Sequence, residues 1–200
     1  NWGASDIRCA DIAKGRPETL PGTPDLAWAS FPCQDLSLAG NYRGLADGQT
    51  GEPTRSGTFW PFWALVQALQ AGGRAPQLVV LENVVGALTA KGGKDFAAIC
   101  GAFSEAGYRF GALVMDARHH VPQSRARVFF VGLAPGCELP KAVQASRPIL
   151  PWHSRALVTA QSRIGDAAKR NWIWWDLPEP AVRTSVFADL IEEQPTGCNW

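Results

Sequence analysis

The chain reads as an α/β protein, one half of a doubly wound sheet with a reversed terminal strand. Three observations carry that reading. Short apolar runs at 26–31, 77–81 and 128–133 have the length and composition of buried strands. Two stretches with helical spacing, 58–70 and 95–106, separate them. A further strand pattern at 108–117 precedes the last run across a short polar loop, which calls for an antiparallel hairpin rather than a crossover.

In chain order, Asn1 to Thr23 is polar and irregular and predicts a loop. The run 26–31 ends at Phe31 and delivers Pro32-Cys33-Gln34 at the carboxyl end of a strand, where open α/β sheets place ligands and catalytic groups. Cys33 is therefore a candidate nucleophile, set against the common role of a lone cysteine as a small buried apolar residue. Ala39 to Gly57 is glycine-rich and predicts a long loop of the functional kind. From Thr58 to Gln70, Phe59, Phe62, Trp63, Leu65, Val66 and Leu69 share one helical face. Thr58 is placed as N-cap, Pro61 falls in the first turn, and Gly72-Gly73 is a stop.

Gln77 to Leu81 predicts a second strand that leads into Glu82-Asn83-Val84, and Asp95 to Ala106 a second helix with Cys100 in its core face and Gly107 at its end. Tyr108 to Ala117 and Val128 to Leu133 form the hairpin. Beyond Ala134 prolines recur and periodicity fades, so the chain divides into 1–133 and a Pro/Trp-rich connector, 134–200. The cluster Trp172-Ile173-Trp174-Trp175 has two readings, a surface for stacking on bases or a set of anchors packing the connector onto the core.

With 46% apolar and 18% charged residues the composition is that of a globular domain with a full core, not of a disordered tail. No apolar run approaches the roughly 18 residues of a membrane span, and the start lacks the layout of a signal peptide, so a soluble, cytoplasmic protein is expected. Five widely spaced cysteines without a C-x-x-C pair argue against a disulfide framework and against a zinc site. A net charge of +1 does not by itself announce a nucleic-acid binder, although Arg118, His119, His120, Arg125 and Arg127 cluster in one short stretch. The lack of an initiating Met and the end at Trp200 lead to the expectation of a piece of a longer protein.

Three motifs stand at strand boundaries in a fixed order: Pro32-Cys33-Gln34, Glu82-Asn83-Val84 and Gln123-Ser124-Arg125-Ala126-Arg127. In that order Pro-Cys-Gln, Glu-Asn-Val and Gln-x-Arg-x-Arg resemble the signature of the DNA (cytosine-5)-methyltransferases, from about Asp11 to Leu133 and more faintly to Trp200. The resemblance implies a Rossmann-like methyltransferase fold, S-adenosyl-L-methionine as cofactor, no metal, and double-stranded DNA as partner, with a restriction endonuclease of the same system as a further one. It implies Cys33, Glu82, Arg127, Arg125 and Asn83 as catalytic residues, and Asp11, Pro32, Thr58 and Phe59 at the cofactor. Gln34, Ser37, Gln123 and Arg118 fall to the substrate. Ser56-Gly57-Thr58 departs from the family's Arg-Gly-Thr-Leu element, with Arg55 and Ser56 transposed and Phe59 in place of Leu.

The chemistry asks for such residues. Carbon 5 of cytosine is a poor nucleophile until a thiolate adds to carbon 6, a covalent step that divides one high barrier into lower ones. In the implied roles Cys33 is that thiolate, Glu82 hydrogen-bonds or protonates ring nitrogen 3, Arg127 faces the position-2 oxygen with Arg125 in support, and Asn83 holds the loop bearing Cys33. The base has to leave the duplex to reach them, with Arg118, His119 and His120 facing phosphates. The family's glycine-rich turn and ribose-binding acid do not precede Asp11, so the chain is expected to hold the catalytic half and only an edge of the cofactor site. A tRNA cytosine-5 methyltransferase and a non-catalytic subunit of the same fold are the alternatives.

Overall fold

The computed structural model describes residues 9–31 and 58–191. Strands β1 (Leu26–Ser30), β2 (Leu78–Val84), β3 (Arg109–Asp116) and β4 (Ala126–Leu133) form one sheet in the order β1-β2-β4-β3. β1 and β2 are parallel, while β4 is antiparallel to both of its neighbours and so slots between β2 and β3. The crossover helices α1 (Phe59–Ala71) and α2 (Lys94–Glu105) join β1 to β2 and β2 to β3. Both connections advance the same way across the sheet, which places both helices on one face, as in one half of a doubly wound sheet.

The strand pleat explains what each face carries. Val79 and Leu81 of β2, Phe110 and Ala112 of β3, and Val128 and Phe130 of β4 are all buried in one cluster with Phe59, Trp63 and Val66 of α1 and Phe96, Ile99 and Phe103 of α2. The alternate residues, Leu113, Met115, Phe129 and Val131, pack on the opposite face with Trp152, Ile173 and Trp175. Cys100 is fully buried in the first cluster, and burial pushes its thiol well above its ordinary range, as a structural cysteine requires. Gly132 leaves room for the Phe103 ring, whose Cε1 would lie 2.3 Å from an added Cβ.

The helix ends follow the signals in the sequence with one exception. Gly72 closes α1 by donating to the Ala68 carbonyl, and Gly107, at φ 76°, turns the chain after α2. Thr58 occupies the N-cap position of α1 but makes no side-chain capping bond. Its φ of −60° and ψ of −12° are already helical, whereas a capping hydroxyl needs an extended residue to reach the next amides.

The segment after β4 is more regular than its prolines and fading periodicity predict. It contains α3 (Arg155–Ser162), α4 (Asp166–Arg170) and a short antiparallel pair, β5 (Gln144–Ala145) with β6 (Trp174–Trp175). Leu157, Ala160, Ile164 and Ala168 extend the main core. Helices this short bury too few residues to show a period, and α3 is instead marked by Ser154, whose Oγ accepts from the Leu157 amide. The tryptophans anchor this segment to the sheet. Trp172 stands edge-on to Phe110 at 5.5 Å, while Phe110 donates to Asn171 and accepts from the Ile173 amide along the free edge of β3. Gly111 makes the approach possible, since a Cβ there would lie 1.9 Å from the Ile173 carbonyl oxygen.

Candidate active site

β2 and β4 run further than their apolar residues indicate, and the extra residues are the polar ones of the motifs. β2 continues through Glu82, Asn83 and Val84, and β4 begins at Ala126, so that Val84 pairs with Arg127 and Glu82 with Phe129. Polar side chains at a strand end satisfy the same ladder, which is why an apolar run understates its length.

This register brings Glu82 and Arg127 together. They lie diagonally across the β2–β4 pair on one face, within reach of long side chains. Arg127 Nε stands 2.9 Å from Glu82 Oε1, and both side chains are partly covered, at 19% and 22% exposure. Arg127 also donates from Nη1 to its neighbouring Ala126 carbonyl at 2.8 Å. Both side chains are thus mostly covered by protein, with a part of each left exposed.

Asn83 points to the other face and does different work. It is 2% exposed, its Nδ2 donates to the Phe31 carbonyl at 3.2 Å, and its Oδ1 accepts from the Val84 amide at 2.8 Å. The side chain thereby ties the end of β1, immediately before Pro32-Cys33, to the end of β2. Pro32, Cys33, Gln34 and Ser37 themselves lie outside the described residues, as does the glycine-rich stretch 39–57.

The loop between β3 and β4 carries the remaining motif residues, and its organiser is Asp116, which the sequence reading did not single out. Asp116 Oδ1 accepts from the Arg118 amide at 3.0 Å and the Arg125 amide at 2.8 Å; Oδ2 accepts from Ser124 Oγ at 2.9 Å and faces Arg118 Nε at 3.6 Å. The Arg118 amide is the main cause that holds this carboxyl below its ordinary range, with burial opposing and the Arg125 amide, Ser124 and the Arg118 charge assisting. An Asp at a strand-to-loop junction is a recognisable turn former, so the signal was present. From the far side, Arg183 Nε donates to the Arg118 carbonyl at 3.0 Å. Arg118, Gln123 and Arg125 are left with exposed side chains on a braced loop.

Of the four residues expected at a cofactor, Pro32 is outside the described residues and the other three differ in their settings. Asp11 is exposed and caps the turn Ile12–Lys14 by accepting from the Ala13 amide, and that turn packs on α1. Thr58 is half-buried at the start of α1. Phe59 is fully buried, its ring 5.8 Å from both Phe31 and Trp63, and is committed to the core. A carboxylate and a hydroxyl on adjoining elements fit the edge of a polar ligand site; the Phe59 ring does not. Among the described residues no group of three or more His, Cys, Asp or Glu side chains is arranged to hold a metal ion, and no helix is long and apolar enough to cross a membrane.

The family model of the C-5 cytosine-specific DNA methylases matches residues 1–195. Type II methyltransferase M.Sau3AI of Staphylococcus aureus is 32% identical over 187 residues, 91% of this chain and 42% of that protein. Type II methyltransferase M2.BsuMI of Bacillus subtilis (strain 168) is 33% identical over 152 residues, 76% of this chain and 36% of that protein. The chain thus spans less than half the length of these relatives. Among solved structures, the S. pombe Dnmt2 methyltransferase matches with a TM-score of 0.45 and 17% identity, over 66% of this chain and 38% of its own.

Proposed function

The chain belongs to the C-5 cytosine-specific DNA methylase family, and from that premise we propose that the protein transfers a methyl group to carbon 5 of cytosine in double-stranded DNA, with residues 1–133 as its catalytic part and 134–200 leading toward a recognition region. The observation that carries the reading is the Glu82–Arg127 pair, 2.9 Å apart on one face of the β2–β4 ladder, beside the Asn83 bond that ties down the strand end leading to Cys33.

In this reading a flipped cytosine lies between the two strand ends. The Cys33 thiolate adds to ring carbon 6, and the electron pair released moves toward carbon 5 and nitrogen 3. Glu82 hydrogen-bonds or protonates nitrogen 3, while Arg127 donates to the position-2 oxygen, where negative charge develops. The bound methyl donor, S-adenosyl-L-methionine, supplies an electrophilic methyl group, and Asp11 and Thr58 would hold its edge. With the methyl group on carbon 5, loss of the carbon-5 proton to water, return of the nitrogen-3 proton to Glu82 and cleavage of the bond between Cys33 Sγ and carbon 6 release the thiolate and restore the aromatic ring. Arg118 and Gln123, on the loop braced by Asp116, meet the DNA, and Arg125 of the same loop supports Arg127 at the base. A restriction endonuclease of the same system is the expected partner.

The test is DNA carrying 5-fluorocytosine at the target base. Fluorine replaces the proton that elimination removes, so a covalent adduct accumulates, and mass spectrometry is expected to find it on Cys33. An adduct on Cys9, Cys100 or Cys137 instead would overturn the assignment.

A further inference from the structure

Helix α3 carries a surface that the proposed reaction does not use. Its inner side is pinned to the core by Leu157 and Ala160, and its start is fixed by the Ser154 cap, so the direction of its outer side is fixed too. That outer side lines an open groove of about 370 Å³ against the turns that follow β2. Arg155, Thr159 and Arg163, four residues apart in succession, face Leu88, Thr89 and Gly93 across it.

The groove is strongly basic. No acidic side chain lines it, and among the described residues neither guanidinium has an ion-pair partner. Between 155 and 170 there are four basic residues (Arg155, Arg163, Lys169, Arg170) and one acidic one, Asp166, a net +3 in a chain whose total is +1. Asp166 is spent on Lys169, at 3.7 Å. Exposed guanidiniums with adjoining hydroxyls are the donors that anchor phosphodiester oxygens.

The groove also stands at the right rim. The turns that form one wall, Val85–Leu88 and Ala90–Gly93, leave β2 directly after Glu82-Asn83-Val84. Thr89 lies seven positions beyond Glu82, a reach of at most roughly 25 Å even fully extended. Backbone phosphates follow one another along the duplex axis at about 3.4 Å per strand. The wall of the groove therefore lies within about seven base-pair rises of a target base held at Glu82, close enough for the flanking duplex to reach it.

We propose that Arg155 and Arg163 form a second anchoring site for backbone phosphates of the duplex flanking the target cytosine, which rests on the reading of Glu82 and Arg127 given above. The contact is to the backbone and independent of sequence. It adds affinity and salt dependence, and it acts only on duplexes long enough to reach α3.

The experiment compares the protein with its Arg155→Glu/Arg163→Glu and Arg155→Lys/Arg163→Lys variants, using duplexes that end at the target site and duplexes extended on both sides. Both arginines are exposed, and circular dichroism of each variant checks that the fold is kept. The unsubstituted protein is expected to bind the extended duplex more tightly, with a log K against log salt slope steeper by about 1 per phosphate, or about 2 in all. The glutamate variant is expected to lose that difference and the lysine variant to keep most of it. An unchanged slope and an unchanged length dependence in the glutamate variant would overturn the site. A preference for extended single-stranded RNA over the duplex would assign the groove to another partner. Failure of the unsubstituted protein to form the Cys33 adduct would count against the cytosine reading alone, because the binding comparison does not depend on turnover.

Discussion

At the scale of single residues, the site divides, in the proposed reading, between groups that meet the base and groups that hold them. Glu82 and Arg127 hold each other at 2.9 Å, and in the proposed reaction a base entering between them takes over those bonds. Glu82→Gln keeps the shape and a hydrogen bond but has no proton to give, so turnover in a methyl-transfer assay is expected to fall by roughly a hundredfold or more. Binding of the methyl donor, followed by calorimetry, should change little; its collapse would move Glu82 from the base to the cofactor. Asp116 belongs to the second kind, since its carboxylate accepts from two amides and a hydroxyl of the loop that bears Gln123 and Arg125. Removing it in Asp116→Ala is expected to raise KM for DNA several-fold and lower kcat less, and Asp116→Asn, which keeps an acceptor oxygen, should recover much of the loss. The pH dependence follows from its lowered pKa. The folded loop binds its proton less readily than the unfolded chain does, so the stabilisation is complete above the ordinary carboxylate range and is lost as pH falls below about 4. Protection of the Arg118 and Arg125 amides in hydrogen exchange reads this directly, and protection that stayed unchanged in Asp116→Ala at neutral pH would remove Asp116 as the organiser.

At the scale of elements, what the sequence disclosed depended on how each element is stabilised. The face of α1 and that of α2, with Phe96, Ile99, Cys100 and Phe103, were legible because a two-layer core imposes a period on the residues facing it. Strand ends were less so: Glu82, Asn83 and Arg127 lie inside the ladder although nothing apolar marks them. α3 and α4 escaped because each buries one or two residues, and a pattern that short has no measurable period. The pairing of Glu82 with Arg127 was expected of a shared site but not its geometry, which is set by a register that only the assembled β2–β4 pair defines. The docking of the tryptophan segment gives the sharpest test at this scale. A methyl group at Gly111 would meet the Ile173 carbonyl oxygen at 1.9 Å and Trp175 Nε1 at 2.9 Å, neither on the far end of a flexible chain. Gly111→Ala is therefore expected to cost about 1–3 kcal/mol, as overpacking does, and to lower the melting temperature by several degrees. An unchanged melting curve would mean that residues 171–175 do not dock against β3.

At the scale of the whole molecule, the two edges of the sheet are treated differently. β3 is covered along its outer side by the bonds from Phe110 to Asn171 and Ile173 and by Trp172. β1, at the other end of the order, has a hydrogen-bonded neighbour on one side only among the described residues. Leu26 and Trp28 stand 49% and 52% exposed on it, with Ser30 continuing the same alternation. An edge that combines unpaired amides and carbonyls with large apolar side chains, and carries no charge along its length, is the geometry that recruits a further strand. The 200-residue chain on its own is accordingly expected to self-associate as its concentration rises, which light scattering after size-exclusion chromatography would register across a dilution series. Leu26→Lys sets a charge on that edge at a half-exposed position, remote from Glu82 and Arg127 in the ladder, and should shift the chain toward monomer with little change in its thermal melt. A chain that stays monomeric at every concentration, or a Leu26→Lys variant that associates as strongly as the original, would show that β1 is not the sticky edge.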